Sequence, residues 1–220
     1  GPPPSGATIP LGRLSRLYDV LNGIVVDADL VGTSVGERVL AGEHLAATDA
    51  QDLLLYDRGY PAFWLFALHE LEQRAFCMRM PLGFSKEVEA FVASGVASAV
   101  VTFTSRGEAR RQCEAYGVPS TPLRIRLVRV VLESGEIEVL ATSLLDEARW
   151  PTHSFKALYH LRWGIEENYK REKCRLEIEN FSGLSAQVVR QDFYAKLVAL
   201  NLTAMLAWVA QAVADRLYQA

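Results

Sequence analysis

Residues 52–61 read DLLLYDRGYP. The apolar run Leu53, Leu54 and Leu55, closed by Tyr56 and then Asp57, has the length and composition of a short buried strand. Arg58-Gly59-Tyr60 offers a tight turn. Pro61, whose φ is preset for a first helical position, suits the apolar stretch 62–71 that follows. Strand, turn and helix in close succession are the unit of an α/β fold. This strand also delivers a carboxylate to its carboxyl end, where ligands of open α/β sheets gather.

On the N-terminal side, apolar runs at 14–21 and 24–31 are joined by Asn22-Gly23. That dipeptide supplies the positive φ angles of a type I′ turn and predicts a β-hairpin. Ser34-Val35-Gly36-Glu37 has capping-box spacing and predicts a helix over 38–47. On the C-terminal side, 75–80 reads as a strand and 85–94 as a short helix. Further strands are expected at 99–104, 123–127 and 137–142, the last two joined by a turn at Ser134-Gly135. Pro151 opens a long helix that closes between Asn180 and Gly183, and a last helix spans 186–218. The expected organisation is a flexible leader at 1–12, a core of 13–80 and 143–220, and a β-rich insertion at 81–142 that stands apart from the main sheet.

The chain has 220 residues, half of them hydrophobic, which is enough to bury a core. A net charge of −3 does not by itself mark a nucleic-acid binder, so charge must be read locally. Six arginines (106, 110, 111, 124, 126 and 129) lie between Ser105 and Val130 against only Glu108 and Glu114. Arg124 and Arg126 share one face of a strand, which is open to two readings, a DNA-facing surface or a solvated strand face. Cys77, Cys113 and Cys174 show no CxxC spacing, which argues against a zinc site or disulfide framework and fits a reducing, cytoplasmic setting. GPPPSGATIP at the start lacks the pattern of a signal peptide. Residues 197–214 carry no charge, and their length is close to a membrane span. Asn201, Thr203 and Gln211 interrupt them, so they read as a buried core helix and no membrane is expected among the partners.

Residues 159–173, YHLRWGIEENYKREK, are crowded with charge and rings. At about 100° per residue, Tyr159, Arg162, Glu166 and Lys173 fall within a stripe about 60° wide on one helix. Arg162 and Glu166 are also neighbours one turn apart. Periodicity alone leaves two readings open, a salt-bridged solvent face or a functional site.

The spacing Tyr159-x2-Arg162-x3-Glu166-x6-Lys173 resembles the Y-R-E-K signature of bacterial DDE insertion-sequence transposases of the IS-four type. Asp57-Arg58-Gly59-Tyr60 resembles the block around that family's second catalytic aspartate. The resemblance runs from about Leu14 to Leu206. It implies a ribonuclease H-like mixed sheet flanked by helices, with the β-rich insertion placed before the acidic helix. It further implies that Asp57 and Glu166 are catalytic carboxylates binding Mg²⁺ (or Mn²⁺), and that Tyr159, Arg162 and Lys173 grip DNA at the transposon ends. A homodimer and a bacterial cytoplasmic, nucleoid-associated location are consistent with it.

The family uses three acids, the first on the opening strand of the sheet. No apolar strand ending in Asp precedes Leu14, and Asp19, Asp27 and Asp29 lie within the hairpin instead. The expectation is therefore a catalytic core without its first strand, unable to cut DNA alone. The alternative is a non-catalytic DNA-binding or protein-interaction module derived from a transposase.

Overall fold

The hairpin forms as an antiparallel pair, β1 (Gly12–Asp19) and β2 (Ile24–Gly32), with a register shift at Leu17/Tyr18. Its turn is longer than the expected two residues. The Asp19 carboxylate accepts the backbone N–H groups of Leu21 and Asn22 at 2.9 and 3.0 Å, so the side chain organises the loop. Gly23, at φ 71°, closes it. Next comes α1 (Glu37–Glu43), whose N-cap is Gly36 with no side-chain bond, so the expected capping box is not formed. The chain then tightens into a 3-10 turn over His44–Ala47.

This computed structural model describes residues 12–164 and 185–218. Two compact units are present, Gly1–His44 with Glu167–Ala220, and Leu45–Glu166.

The second unit is built on β3 (Leu53–Tyr56), α2 (Phe63–Leu71) and β4 (Ala75–Met80), the elements read from DLLLYDRGYP and its sequel. The helix starts two residues after Pro61, with Ala62 as N-cap. Then follow α3 (Lys86–Ser94), β5 (Ser98–Phe103), α4 (Glu108–Ala115), β6 (Leu123–Val131) and β7 (Ile137–Thr142). The Ser85 hydroxyl caps α3, and Gly95, at φ 72°, ends it in the left-handed conformation that glycine adopts without strain.

The strand order is β3-β4-β7-β6-β5, with β3 and β4 parallel and the other pairs antiparallel. The class is thus α/β with a mixed sheet, as expected. Residues 81–142, read as standing apart from the main sheet, instead extend it. β7 pairs with β4, and β6 and β5 follow outward. The reason is that β4 still has a free edge when the chain returns, and β7, buried along most of its length, satisfies it.

Both sheet faces are covered. On one, Phe66 of α2 stacks on Phe76 of β4 at 5.3 Å between ring centroids and touches Phe84 and Phe103. On the other, Cys77, Val128, Val130 and Leu140 pack against α5 (Phe155–His160) through Phe155 and Tyr159. Each such large side chain contributes about 1.5–3 kcal/mol by leaving water. Cys77 and Cys113 are free and buried, and Cys174 lies outside the described residues.

The expected long helix after Pro151 begins differently. A 3-10 turn over Thr152–Ser154 leads into α5, which gives way to a turn at residues 161–162. The single uninterrupted helix needed for the 159–173 stripe is therefore not what the described part shows.

Within the first unit, α6 (Ala186–Tyr218) packs on the hairpin through Phe193 and Leu197 against Val25 and Ala28. Asn201 explains one of the polar interruptions noted above. Its amide accepts from the Val25 N–H at 2.9 Å and donates to the Val25 carbonyl at 2.8 Å, standing in for a neighbouring strand. Over its described side chains, which end at residue 210, the helix is not the buried core helix expected from its sequence. Val198, Leu202, Met205, Leu206 and Val209 are all exposed, Leu206 by 70%. By length and composition, Ala186–Ala210 would suffice to cross a membrane.

Candidate functional site

Asp57 follows directly on the last residue of β3 and is exposed at the strand's carboxyl end. It does not cap α2. Its Oδ1 instead accepts the Gly59 N–H at 2.7 Å, closing a small turn of the kind aspartate favours. A β-carbon at Gly59 would lie 3.0 Å from that same oxygen, so glycine is what allows the close approach. The carboxylate is thereby aimed before any ligand arrives. An exposed oxygen donor at a strand end suits a hard divalent cation that keeps part of its water shell. The other expected ligand, Glu166, lies outside the described residues, as does Lys173.

The residue before Asp57 is held from both sides of the sheet. The Tyr56 hydroxyl lies 3.0 Å from His69 Nε2 on α2, and His69 Nδ1 lies 3.0 Å from the Arg74 carbonyl. A carbonyl only accepts, so Nδ1 carries the proton and Nε2 accepts from the Tyr56 hydroxyl. Burial lowers the His69 pKa to about 4, outweighing the opposing effect of the Arg74 carbonyl, so the imidazole is neutral near pH 7. Burial, reinforced by Tyr60, raises the Tyr56 pKa and keeps that phenol protonated. His69 was not singled out from sequence, where the only signal is a histidine set inside the apolar run FWLFALHEL.

Tyr159 sits on the opposite face. Its ring is 5% exposed, and its hydroxyl donates to the Tyr56 backbone carbonyl at 3.0 Å. Burial raises its pKa, with Arg162 opposing. The expectation that Tyr159 grips DNA thus meets a buried ring whose proton is already committed. Arg162 is half-buried, with its guanidinium 5.7 Å from the Tyr159 ring centre and 5.8 Å from that of Trp163.

The basic strand divides. Arg124 is exposed on β6, as a DNA-facing residue requires. Arg126 is not, being 1% exposed. Its guanidinium donates to the Ser98 hydroxyl at 2.7 Å, the Trp150 carbonyl at 2.7 Å and the Thr152 hydroxyl at 2.8 Å, and it pairs with Glu147 at 3.2 Å. The Phe155 ring lies 5.2 Å away. The 144–152 segment and the start of α5 cover this end of the strand face, so Arg126 fastens structure and is withdrawn from the DNA-binding set. Arg129 likewise serves the fold, donating to the Phe91 and Val92 carbonyls at the end of α3. Arg110 and Arg111 pair with Glu114 and Glu108 along α4.

A second cluster of ionisable groups lies in the hairpin unit. His44, buried, places Nδ1 at 2.8 Å from Asp27 Oδ2 and 4.0 Å from Asp29 Oδ2, while its Nε2 meets the Ser15 hydroxyl at 2.9 Å. Asp27, Asp29 and His44 offer oxygen and nitrogen ligand atoms within 4.8 Å of one another. Asp27 and Asp29, two apart on β2, share one strand face, but nothing in the sequence linked them to His44.

A model of the transposase DDE domain matches residues 12–202. The transposase InsG for insertion sequence element IS4 of Escherichia coli (strain K12) is 26% identical over 168 residues, covering 76% of this chain and 37% of that protein. A putative transposase, y4zB, of Sinorhizobium fredii (strain NBRC 101917 / NGR234) is 25% identical over 193 residues, covering 85% and 48% respectively. The chain thus spans less than half the length of either relative. No solved structure matches.

Proposed function

The chain belongs to the transposase DDE-domain family, and on that premise we propose that it forms part of a catalytic core that cleaves and joins DNA at transposon ends by metal-dependent phosphoryl transfer. One observation carries the reading: an exposed aspartate at the carboxyl end of β3, aimed by the Gly59 amide. In this proposal Asp57 and Glu166 hold Mg²⁺ or Mn²⁺. Such ions, when bound, supply Lewis acidity to the phosphodiester and lower the pKa of an attacking water or 3′-hydroxyl. The protein's own groups do the positioning. Asp57 presents a fixed carboxylate, while Arg162, Lys173 and the exposed Arg124 offer charge-assisted hydrogen bonds to backbone phosphates. Residues 81–142 belong to this core, since their strands extend the sheet that carries Asp57. The setting is the bacterial cytoplasm near the nucleoid, with a homodimer as the working unit.

In this proposal the chain alone binds metal through Asp57 and Glu166 but does not cut. The test is Mn²⁺ titration of the wild type and Asp57→Asn, with a DNA nicking assay alongside. Expected are metal binding lost in the variant and no nicking by either. Metal-dependent nicking by the wild type that Glu166→Gln abolishes would overturn the claim of inactivity, and unchanged Mn²⁺ binding in Asp57→Asn would overturn the site.

A second reading, a non-catalytic interaction module, is favoured by the exposed apolar stripe on α6. It predicts salt-sensitive DNA or partner binding that does not respond to metal.

A further inference from the structure

We propose that Tyr159 is a positioning residue for Asp57, acting through the Tyr56 peptide, and not a group that contacts DNA. The inference rests on the reading of Asp57 as a metal-holding carboxylate and adds how that carboxylate is kept in place.

Three observations carry it. First, a phenol has one proton to donate, and Tyr159 gives it to the Tyr56 carbonyl at 3.0 Å. What remains on that oxygen can only accept, and a phosphate oxygen also only accepts. The group is therefore spent for gripping DNA. Second, the ring is buried, packed in one cluster with Cys77, Val130, Leu140 and Phe155. Third, the bonded carbonyl lies in the same rigid peptide plane as the Asp57 N–H, so fixing one fixes the other.

The need for a brace follows from the sheet. β3 has four residues and, among the described residues, stands at the end of its sheet's strand order, with β4 as its hydrogen-bonded neighbour. A short edge strand frays at its end unless something ties it. Tyr56 is tied twice, by its side chain to His69 on one face and by its carbonyl to Tyr159 on the other. The Gly59 amide then sets the Asp57 side chain. The chain of constraint runs from α5 through a peptide plane to a carboxylate. It accounts for the tyrosine that opens the Tyr159-x2-Arg162 spacing by a role within the fold.

The test compares Tyr159→Phe, which keeps the ring and removes the hydroxyl, with Val130→Ala, which loosens the same cluster and leaves the hydroxyl bond intact. The readouts on the full chain are the amide NMR signals of Asp57 and Gly59 and the affinity for Mn²⁺. In Tyr159→Phe both signals shift and broaden and the Mn²⁺ dissociation constant rises about tenfold, the usual scale for losing a group that orients a ligand. In Val130→Ala the melting temperature falls while the signals and the affinity stay at wild-type values. Unmoved signals in Tyr159→Phe, or equal changes in both variants, overturn the proposal.

If Mn²⁺ fails to broaden the Gly59 signal of the wild type, it is the metal reading that fails, and the two amide signals alone decide the role of Tyr159. Should Tyr159→Phe not fold, the wild type still decides. A slowly exchanging Tyr159 hydroxyl proton is expected, and exchange as fast as that of an exposed tyrosine overturns the proposal.

Discussion

Replacing Arg126 with alanine should unfold a large part of the second unit's stability, whereas the same change at Arg124 should be almost silent. The magnitude follows from what Arg126 holds. Its three short hydrogen bonds reach Ser98 on β5, the Trp150 carbonyl and Thr152, joining the sheet to the segment that enters α5. Hydrogen bonds from a charged donor are worth about 1.5–3 kcal/mol each, and their loss leaves the Trp150 carbonyl without its donor. Glu147 is largely exposed and can return to water, so the ion pair itself adds little. Allowing for non-additivity, a loss of about 3–5 kcal/mol is expected, the range for breaking a buried charged network. That is a large share of the roughly 5–15 kcal/mol a domain has in total. Arg124, exposed two residues away, should cost within about 0.5 kcal/mol. The assay is urea unfolding followed by tryptophan fluorescence, with Arg126→Lys as an intermediate that keeps the charge and loses the planar fork. A cost below about 1 kcal/mol for Arg126→Ala, or equal costs at the two positions, would refute the reasoning.

Two further outcomes are expected. Asn201→Ala removes both bonds to the Val25 backbone and should destabilise the hairpin unit by about 1–3 kcal/mol, seen as faster hydrogen exchange at the Val25 amide. His69 has a folded-state pKa of about 4, below the ordinary value of about 6.5. Between those values the unfolded chain binds a proton that the folded one refuses. Its contribution is therefore complete above about pH 6.5 and is lost as pH falls toward 4, at up to about 1.4 kcal/mol per pH unit. A His69→Asn variant should show a flatter stability profile in that window, and an identical slope would count against a buried neutral imidazole.

The elements most legible in the sequence were those whose own residues decide them. β4 falls on the expected residues because Ala75–Met80 is apolar and bounded by turn residues, and the Ser85 cap fixes the start of α3. Asp57 at the end of β3 was legible for the same reason, since a strand's end is a local property. What escaped depends on what the rest of the chain brings near. Strand alternation put Arg124 and Arg126 on one face, but it could not show that the 144–152 segment covers only one of them. Asn22-Gly23 signalled a tight turn, yet Asp19 was free to organise a longer one with its own side chain. Helix α4 went unread because Cys113 is its sole buried residue, so it carries almost no apolar period. The reciprocal holding of Tyr56 by His69 and Tyr159 joins residues far apart in the chain, and no spacing rule reaches that far.

Helix α6 has a consequence for how the protein behaves in water. Phe193, Leu197 and Asn201 face the hairpin, while Val198, Leu202, Met205 and Val209 line a stripe about 120° around the axis. Rotating the helix cannot hide both. Each of these side chains is between 50% and 64% exposed, so it forgoes roughly half of the about 1.5–3 kcal/mol that full burial brings, and the stripe holds a few kilocalories per mole in reserve. That reserve acts as an adhesive seam along one side of a rod. Solubility will follow whatever occupies the seam.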